Sequence, residues 1–280
     1  MNKRADINRQ ETESRPVVLE RLLPPGEPVT AAEIVESLVS PEPPVAPAHR
    51  PYLMLNMVST ADGRASIGGR SGPIGNRADR ELFHGLRGVV DAVMAGAGTV
   101  RAERYGRIVP DEARRRARLA RGLSAEPLAC IVSGRLELPV ELPLLADPAA
   151  RVAILTPSAA SLPEHAAHVD YIRSSREGQL DLPAAFAELR TRFAVRTLLC
   201  EGGPHLNAQL LAAGLVDELF LCLAPLLAGG DPVAGEALRI LSGAKLDPPL
   251  GMRLLGAFEN DSYLFLRYGL TADAQSHTDD

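Results

Sequence analysis

Residues 197–211 read TLLCEGGPHLNAQLL. The opening TLLC is a short apolar run of the buried-strand kind, and Glu201 ends it. Gly202-Gly203 then makes a tight turn. Pro204 stands where the first helical residue belongs, a place whose N–H has no partner inside the helix. Leu206, Leu210 and Leu211 recur at helical spacing, and Gly214 closes the helix. A strand, a diglycine and a helix start suit a phosphate, because bare backbone N–H groups and the positive helix end converge there. The same letters also describe an ordinary strand-to-helix turn, so the rest of the chain has to decide.

Outward from this unit, strands and helices alternate. Strands are expected at 52–58, 91–95, 128–133, 152–156, 169–172 and 217–224. Helices are expected at 77–90, from 100 to about 104, and at 111–121, 161–167 and 183–193. Residues 252–259 and 263–268 form an antiparallel pair across Asn260-Asp261-Ser262. The pattern specifies an α/β fold: a mostly parallel central sheet, helices on both faces and an antiparallel C-terminal edge. Residues 66–76 hold four glycines and a proline and read as a mobile loop.

Ahead of this body lies an arm, residues 1–50, ending in a proline-rich linker, SPEPPVAPAHRP. Residues 1–16 are polar enough to be disordered, and a capping box at Thr30 to Glu33 starts a helix running to about Val39. The arm has too few apolar residues for a core of its own, so it is expected to pack on the body or on a partner. The organisation read here is an arm at 1–50, a catalytic body at 51–270 and a disordered tail at 271–280.

The net charge of −5 argues against general affinity for nucleic acid or an anionic membrane. No apolar run approaches the length of a membrane span, and the N-terminus has no secretory h-region. Cys130, Cys200 and Cys222 each sit in an apolar run, without metal spacing, and read as buried thiols in a reducing cytoplasm.

Two glycine turns follow two different strands: Gly96-Ala97-Gly98-Thr99 and Gly202-Gly203-Pro204. Both lie at carboxyl strand ends, where open α/β sheets bind ligands, and together they could hold the two phosphates of a dinucleotide. Neither completes a GxGxxG fingerprint, since Arg101 takes the third glycine's place. Asp62 and Glu201 are both strand-end carboxylates. Either can be a turn residue or a group that orients or protonates a substrate nitrogen. Arg87, Arg104 and Arg107 could each meet a sugar phosphate, whereas the arginines at 114–118 read as a solvated face. His205, in the first turn of the central helix, reads as a cofactor contact. No GxSxG, HExxH or GxxxxGK[ST] occurs.

LNMVSTADGR, GLRGVVDAVMAGAGTVRAE and LLCEGGPHLNAQLLAAGLVDELFLCLAP, in that order, resemble the reductase domain of bacterial riboflavin-biosynthesis deaminase–reductases. The resemblance runs from about Pro51 to Tyr268 and implies a dihydrofolate reductase-like fold. It extends to stand-alone pyrimidine reductase-like proteins with an arm of this kind. It implies an NADPH-dependent reduction of the ribosyl group of 5-amino-6-(5-phosphoribosylamino)uracil to ribityl, in a cytoplasmic homodimer. By position it implies cofactor contacts at Val58, Pro73, Thr99, Glu103 and Ser133, the last to a 2′-phosphate, and a diphosphate cradle at 203–209 that includes Leu206. It implies substrate contacts at Ser71, Arg87 and Glu201, with Arg87 on the phosphate and Glu201 on the pyrimidine, and a catalytic carboxylate at Asp62. The family's loop DDPxLTVR is replaced here by ERYGRIVP at 103–110, which puts Pro110 where that loop has an arginine and displaces Arg107. The family's deaminase zinc motifs are absent from the chain, so deamination is not expected. Two other readings share the letters: a reductase of a pterin- or folate-like substrate on the same fold, and a non-catalytic NADPH binder, which would need neither Asp62 nor Glu201.

Overall fold

The structure is a computed structural model that describes residues 16–39, 44–230, 238–243 and 245–270. The expected disorder before residue 16, part of the proline-rich linker and the expected tail at 271–280 lie outside the described residues.

Why the chain builds one sheet is visible in adjacent residues. Along β3 (Tyr52–Thr60), Leu53 and Leu55 are buried on one face while Met54 is buried on the other. β4 (Ala92–Gly96) divides the same way, with Ala92 and Met94 against Val93. So does β10 (Thr197–Cys200), where Leu198 and Cys200 oppose Leu199. Strands buried on both faces belong in the middle of a parallel sheet. β5 (Leu128–Val132), β6 (Arg151–Leu155) and β7 (His168–Ile172) continue it on one side, all parallel. On the other side β11 (Glu218–Ala224) pairs parallel with β3. β13 (Tyr263–Leu270) and β12 (Met252–Asn260) then follow antiparallel.

The sheet does not stop at the C-terminal hairpin. β1 (Val18–Leu23) pairs antiparallel with β12, and β2 (Val29–Thr30) with β1, giving an eleven-stranded order β2-β1-β12-β13-β11-β3-β10-β4-β5-β6-β7. The outermost antiparallel strands therefore come from the N-terminus, and the C-terminal pair lies inside them. Leu19 is fully buried in this layer. α1 (Ala31–Glu36) starts at the expected capping box, with the Glu33 amide donating to the Thr30 hydroxyl and the Thr30 amide to the Glu33 carboxylate. It packs against α2 (Arg77–Arg87).

α3 (Ala97–Ala102) and α4 (Glu112–Ala120) follow in chain order, then a short α5 (Pro143–Ala146). A small hairpin, β8 (Ser175–Arg176) and β9 (Gln179–Leu180), precedes α6 (Leu182–Thr191), and α7 (Pro204–Ala212) follows β10. The helix expected at 161–167 does not form. The Leu162 amide donates to the Tyr171 hydroxyl (2.7 Å), and the Ala166 and Ala167 amides donate to the Leu145 carbonyl (3.1 and 3.0 Å). Tertiary acceptors take the donors that helical rungs would use. Cys130, Cys200 and Cys222 are free, buried thiols, and burial pushes the Cys200 thiol up to about 12. Among the described residues no helix is long and apolar enough to cross a membrane.

Because Leu19 is fully buried between the first strand and the body, Leu19→Ala should destabilise the whole protein by ~2–5 kcal/mol in chemical denaturation. A loss of only a few tenths would mean that the strand is a loose appendage.

Candidate active site

Three parallel strands, β3, β10 and β4, lie side by side and end at one edge of the sheet. The two glycine turns emerge there and bond to each other: the Gly96 amide donates to the Gly202 carbonyl (2.7 Å), and the Glu201 amide to the Met94 carbonyl (2.9 Å). Gly202 sits at φ +92°, a backbone region closed to most side chains, and the Gly202–Gly203 peptide is cis. A Cβ on Gly203 would stand 2.9 Å from the Thr99 hydroxyl oxygen, so the close approach of the two turns needs glycine there too.

Two cavities open at this edge. The larger, about 750 Å3, is lined by both glycine turns together with Ser133, Arg135, Pro204, His205 and Leu206. α3 and α7 both begin on it, and neither start carries a side-chain cap. Uncapped first-turn N–H groups beside a cavity suit an anion. The smaller cavity, about 360 Å3, is lined by Asn56 and Val58 from β3, by one face of α2 and by residues 103–106. Met57, Ala65, Ser71, Thr99, Glu103 and Glu201 line both, so the two spaces meet over the end of β10.

The wall at that meeting point is a buried ion pair. Arg87 Nε donates to Glu201 Oε1 (2.6 Å) and Nη2 to Oε2 (2.7 Å), a bidentate fork, while Nη1 donates to the Ile108 carbonyl (3.0 Å). The Tyr105 hydroxyl donates to Glu201 Oε2 (2.5 Å). The guanidinium carbon lies 4.1 Å from the Phe83 ring centroid and 5.4 Å from that of Tyr105. Burial works to lower the Arg87 pKa, but the neighbouring Glu201 carboxylate more than offsets it, and the guanidinium stays charged. Burial first, and Glu201 second, hold the Tyr105 phenol well above its usual range, so it acts as a donor. Of the Glu201 lone-pair sites, Oε1 serves one donor and Oε2 two, which leaves Oε1 able to accept one more.

The expected site residues divide clearly. Gly96, Gly98, Ser133, Gly203, Pro204, His205 and Leu206 line the larger cavity, Val58 and Arg87 the smaller, and Ser71, Thr99, Glu103 and Glu201 both. Gly202 shapes the turn beneath them. Ser71 is tied down, its amide and hydroxyl both donating to Glu103 Oε1 (2.8 and 3.0 Å). Arg87 and Glu201, expected to take separate parts of a substrate, take each other, because two opposite buried charges a few ångströms apart neutralise one another.

Besides Gly202, three expected residues lie outside both cavities. Pro73 is exposed. Arg107 turns away, with Nη2 donating to Asp147 (3.0 Å) and Nε 3.9 Å from Glu126. Asp62 is exposed and holds a loop: its carboxylate accepts from the Thr60 hydroxyl and from the amides of Ala228 (3.1 Å) and Gly229 (2.6 Å). Those bonds, that of Thr60 foremost, keep its pKa down at about 2.

The sequence reading missed the contributions of Tyr105, Asn56 and Arg118. Arg118, expected on a solvated face, is 0% exposed. It donates to the carbonyls of Arg87 (2.9 Å), Val90 (2.8 Å) and Ser124 (2.9 Å), and so satisfies the end of the helix that carries Arg87. Desolvation brings its pKa down to about 10, still a cation at neutral pH. No signal in DEARRRARLAR separates it from its solvated neighbours.

Among the described residues no cluster of His, Cys, Asp or Glu could hold a metal ion. Comparison with known proteins places these observations in a family. Residues 51–254 match the RibD C-terminal domain. A 2,5-diamino-6-ribosylamino-4(3H)-pyrimidinone 5′-phosphate reductase from Methanothermobacter thermautotrophicus is 31% identical over 203 residues, covering 71% of this chain and 87% of the relative. A riboflavin biosynthesis protein RibD from Mycobacterium tuberculosis is 29% identical over 187 residues, 66% of this chain and 45% of that protein. The crystal structure of a pyrimidine reductase-like protein from Corynebacterium diphtheriae superposes with a TM-score of 0.71 at 25% identity, covering 88% of this chain and all of the other.

Glu201→Ala would strand a buried guanidinium, and such a loss costs ~3–5 kcal/mol. A double-mutant cycle with Arg87→Ala, read by urea denaturation, should return a coupling of more than ~1 kcal/mol; additive losses would mean that the pair is not a unit.

Proposed function

The chain belongs to the RibD C-terminal domain family, and we propose that it is an NADPH-dependent reductase that converts the ribosyl group of 5-amino-6-(5-phosphoribosylamino)uracil to ribityl in riboflavin biosynthesis. One observation carries this reading: the double glycine cradle and the Glu201–Arg87–Tyr105 wall meet over one strand end, so a dinucleotide in the larger cavity would face a substrate in the smaller.

The residues present fit such a cofactor. Two uncapped helix starts and the glycine turns offer N–H groups to a diphosphate. Ser133 and Arg135 line the same cavity and suit the additional phosphate that separates NADPH from NADH. When bound, the nicotinamide supplies a hydride to the sugar carbon of the ring-opened imine. What the chain supplies is position and field. Glu201 Oε1 would accept an N–H of the pyrimidine and, being anionic, favour the positive charge of an iminium nearby. Arg87 and Tyr105 fix that carboxylate so that it does not reorient during the reaction. Asp62 would contribute by holding the backbone at 228–229, which pins the turn after β3.

We place this reductase in the cytoplasm, where its buried thiols stay reduced, and we hold it to be a homodimer. Val18, Leu22, Met252 and Leu254, on β1 and β12, keep between 38 and 48% of their surface exposed, apolar surface that a second copy would cover. Light scattering after size exclusion should give twice the chain mass; a monomer at micromolar concentration would refute the dimer.

The purified protein should oxidise NADPH with the phosphoribosylaminouracil as substrate. Glu201→Gln should lower kcat/KM by about a hundredfold while shifting the KM for NADPH less than about threefold. Parallel reactions with the 2,5-diaminopyrimidinone counterpart and with dihydrofolate identify the ring: turnover of dihydrofolate alone would overturn the riboflavin assignment.

A further inference from the structure

The smaller cavity carries two guanidinium groups that its internal pairings leave largely unengaged. Its charged lining residues are Arg80, Arg87 and Arg104 against Asp79, Glu103 and Glu201. Arg87 and Glu201 neutralise each other, and Arg87's remaining nitrogen donates to the Ile108 carbonyl. Glu103 is engaged by Ser71. Burial raises the pKa of Asp79, against the opposing pull of the nearby Arg80 charge. Neither Arg80 nor Arg104 is held in an ion pair with hydrogen-bonding geometry. Arg80 makes one long bond, 3.4 Å, to the Gly75 carbonyl. The Arg104 side chain makes no hydrogen bond or ion pair among the described residues. Both are exposed, and they approach from different elements: Arg80 from α2, where it lies seven residues before Arg87 on the same helical face, and Arg104 from the turn that follows α3.

Arg104 is also held at φ +50°, the left-handed region that a residue with a Cβ rarely occupies outside Asn and Asp. A glycine would sit there without strain. A long cationic side chain at a glycine-like position, unpaired and on a cavity wall, has no role in stability that the structure shows.

We propose that Arg104 and Arg80 together hold the terminal phosphate of the substrate, the task that Arg87 is barred from by its pairing with Glu201. This rests on the reading above, in which a phosphorylated ribosylaminopyrimidine enters the smaller cavity. A phosphate dianion takes two guanidinium groups well, since each presents paired donors to its oxygens. The arrangement also accounts for the loop at 103–110 working with Pro110 in it and with Arg107 turned outward to Asp147. An exposed clamp of this kind is open to screening, so its grip should weaken with salt.

The test compares the phosphorylated ribosylaminouracil with its dephosphorylated form, for the wild type, Arg104→Gly and Arg80→Gln. Each substitution should lower the preference for the phosphorylated compound, measured as the ratio of kcat/KM values, at least tenfold, chiefly through KM. Arg104→Gly removes the backbone strain, so its thermal midpoint should stay within a few degrees of the wild type and a folding defect is distinguishable. An unchanged ratio, or an equal loss on both compounds, overturns the clamp. If the wild type reduces neither compound, the substrate reading has failed and the clamp is judged by titration calorimetry with ribose 5-phosphate. Binding that each substitution weakens at least tenfold sustains it. No binding, or equal binding by all three proteins, overturns it.

Discussion

Everything at the catalytic edge depends on one buried contact, the fork between Arg87 and Glu201. The two residues come from elements far apart in sequence, the end of α2 and the end of β10, and each charge is affordable inside the protein only because of the other. The pair therefore fixes where α2 lies across the sheet, and with it the whole helical wall of the smaller cavity. Tyr105 and the Ile108 carbonyl complete the coordination, so the loop after α3 is drawn onto the same point. A single electrostatic unit thus ties two segments, α2 and the loop after α3, to the end of the central strand.

The larger cavity is built on a different constraint, the close approach of two backbones. The Gly96 amide reaches the Gly202 carbonyl, and a Cβ on Gly203 would crowd the Thr99 hydroxyl. Backbone N–H groups at the two helix starts are then the chemistry on offer, and they favour an anion irrespective of its nature. Identity comes from the neighbours. Ser133, Arg135 and Glu201 all line the cavity, side chains suited to a ligand that carries both charge and a reactive group.

Much of this was legible in the letters. Buried parallel strands announce themselves as apolar runs, so TLLC, DAVMA and YLMLNMV lead directly to the middle of the sheet, and the diglycine and Pro204 lead to the cradle. The edge strands were harder. VLERLL of β1 mixes exposed and buried residues, and only its pairing with β12 makes it a strand. The segment 161–167 failed for the converse reason, since local pattern suggested a helix but distant acceptors on Leu145 and Tyr171 claimed its amides. Side-chain commitments are less visible still. Nothing in the spacing of Arg87 and Glu201 states that they pair, nothing in TADGR states that Asp62 spends its carboxylate on Ala228 and Gly229, and nothing in a run of arginines singles out the buried one.

That buried arginine shows how the site is supported from behind. A helix end leaves carbonyls without partners, and α2 ends inside the protein, where water is not available to satisfy them. Arg118 supplies the donors, to Arg87 and Val90, and its positive charge lies where the helix dipole is negative. The residue that bears the catalytic-edge guanidinium is thus held at both ends: its side chain by the Glu201 carboxylate, and its carbonyl by the Arg118 guanidinium. A fork in two hydrogen bonds tolerates little displacement of either partner. Anchoring the Arg87 backbone therefore matters as much to the geometry of Glu201 as the fork does, and α4, which touches neither cavity, contributes to the site through that one side chain.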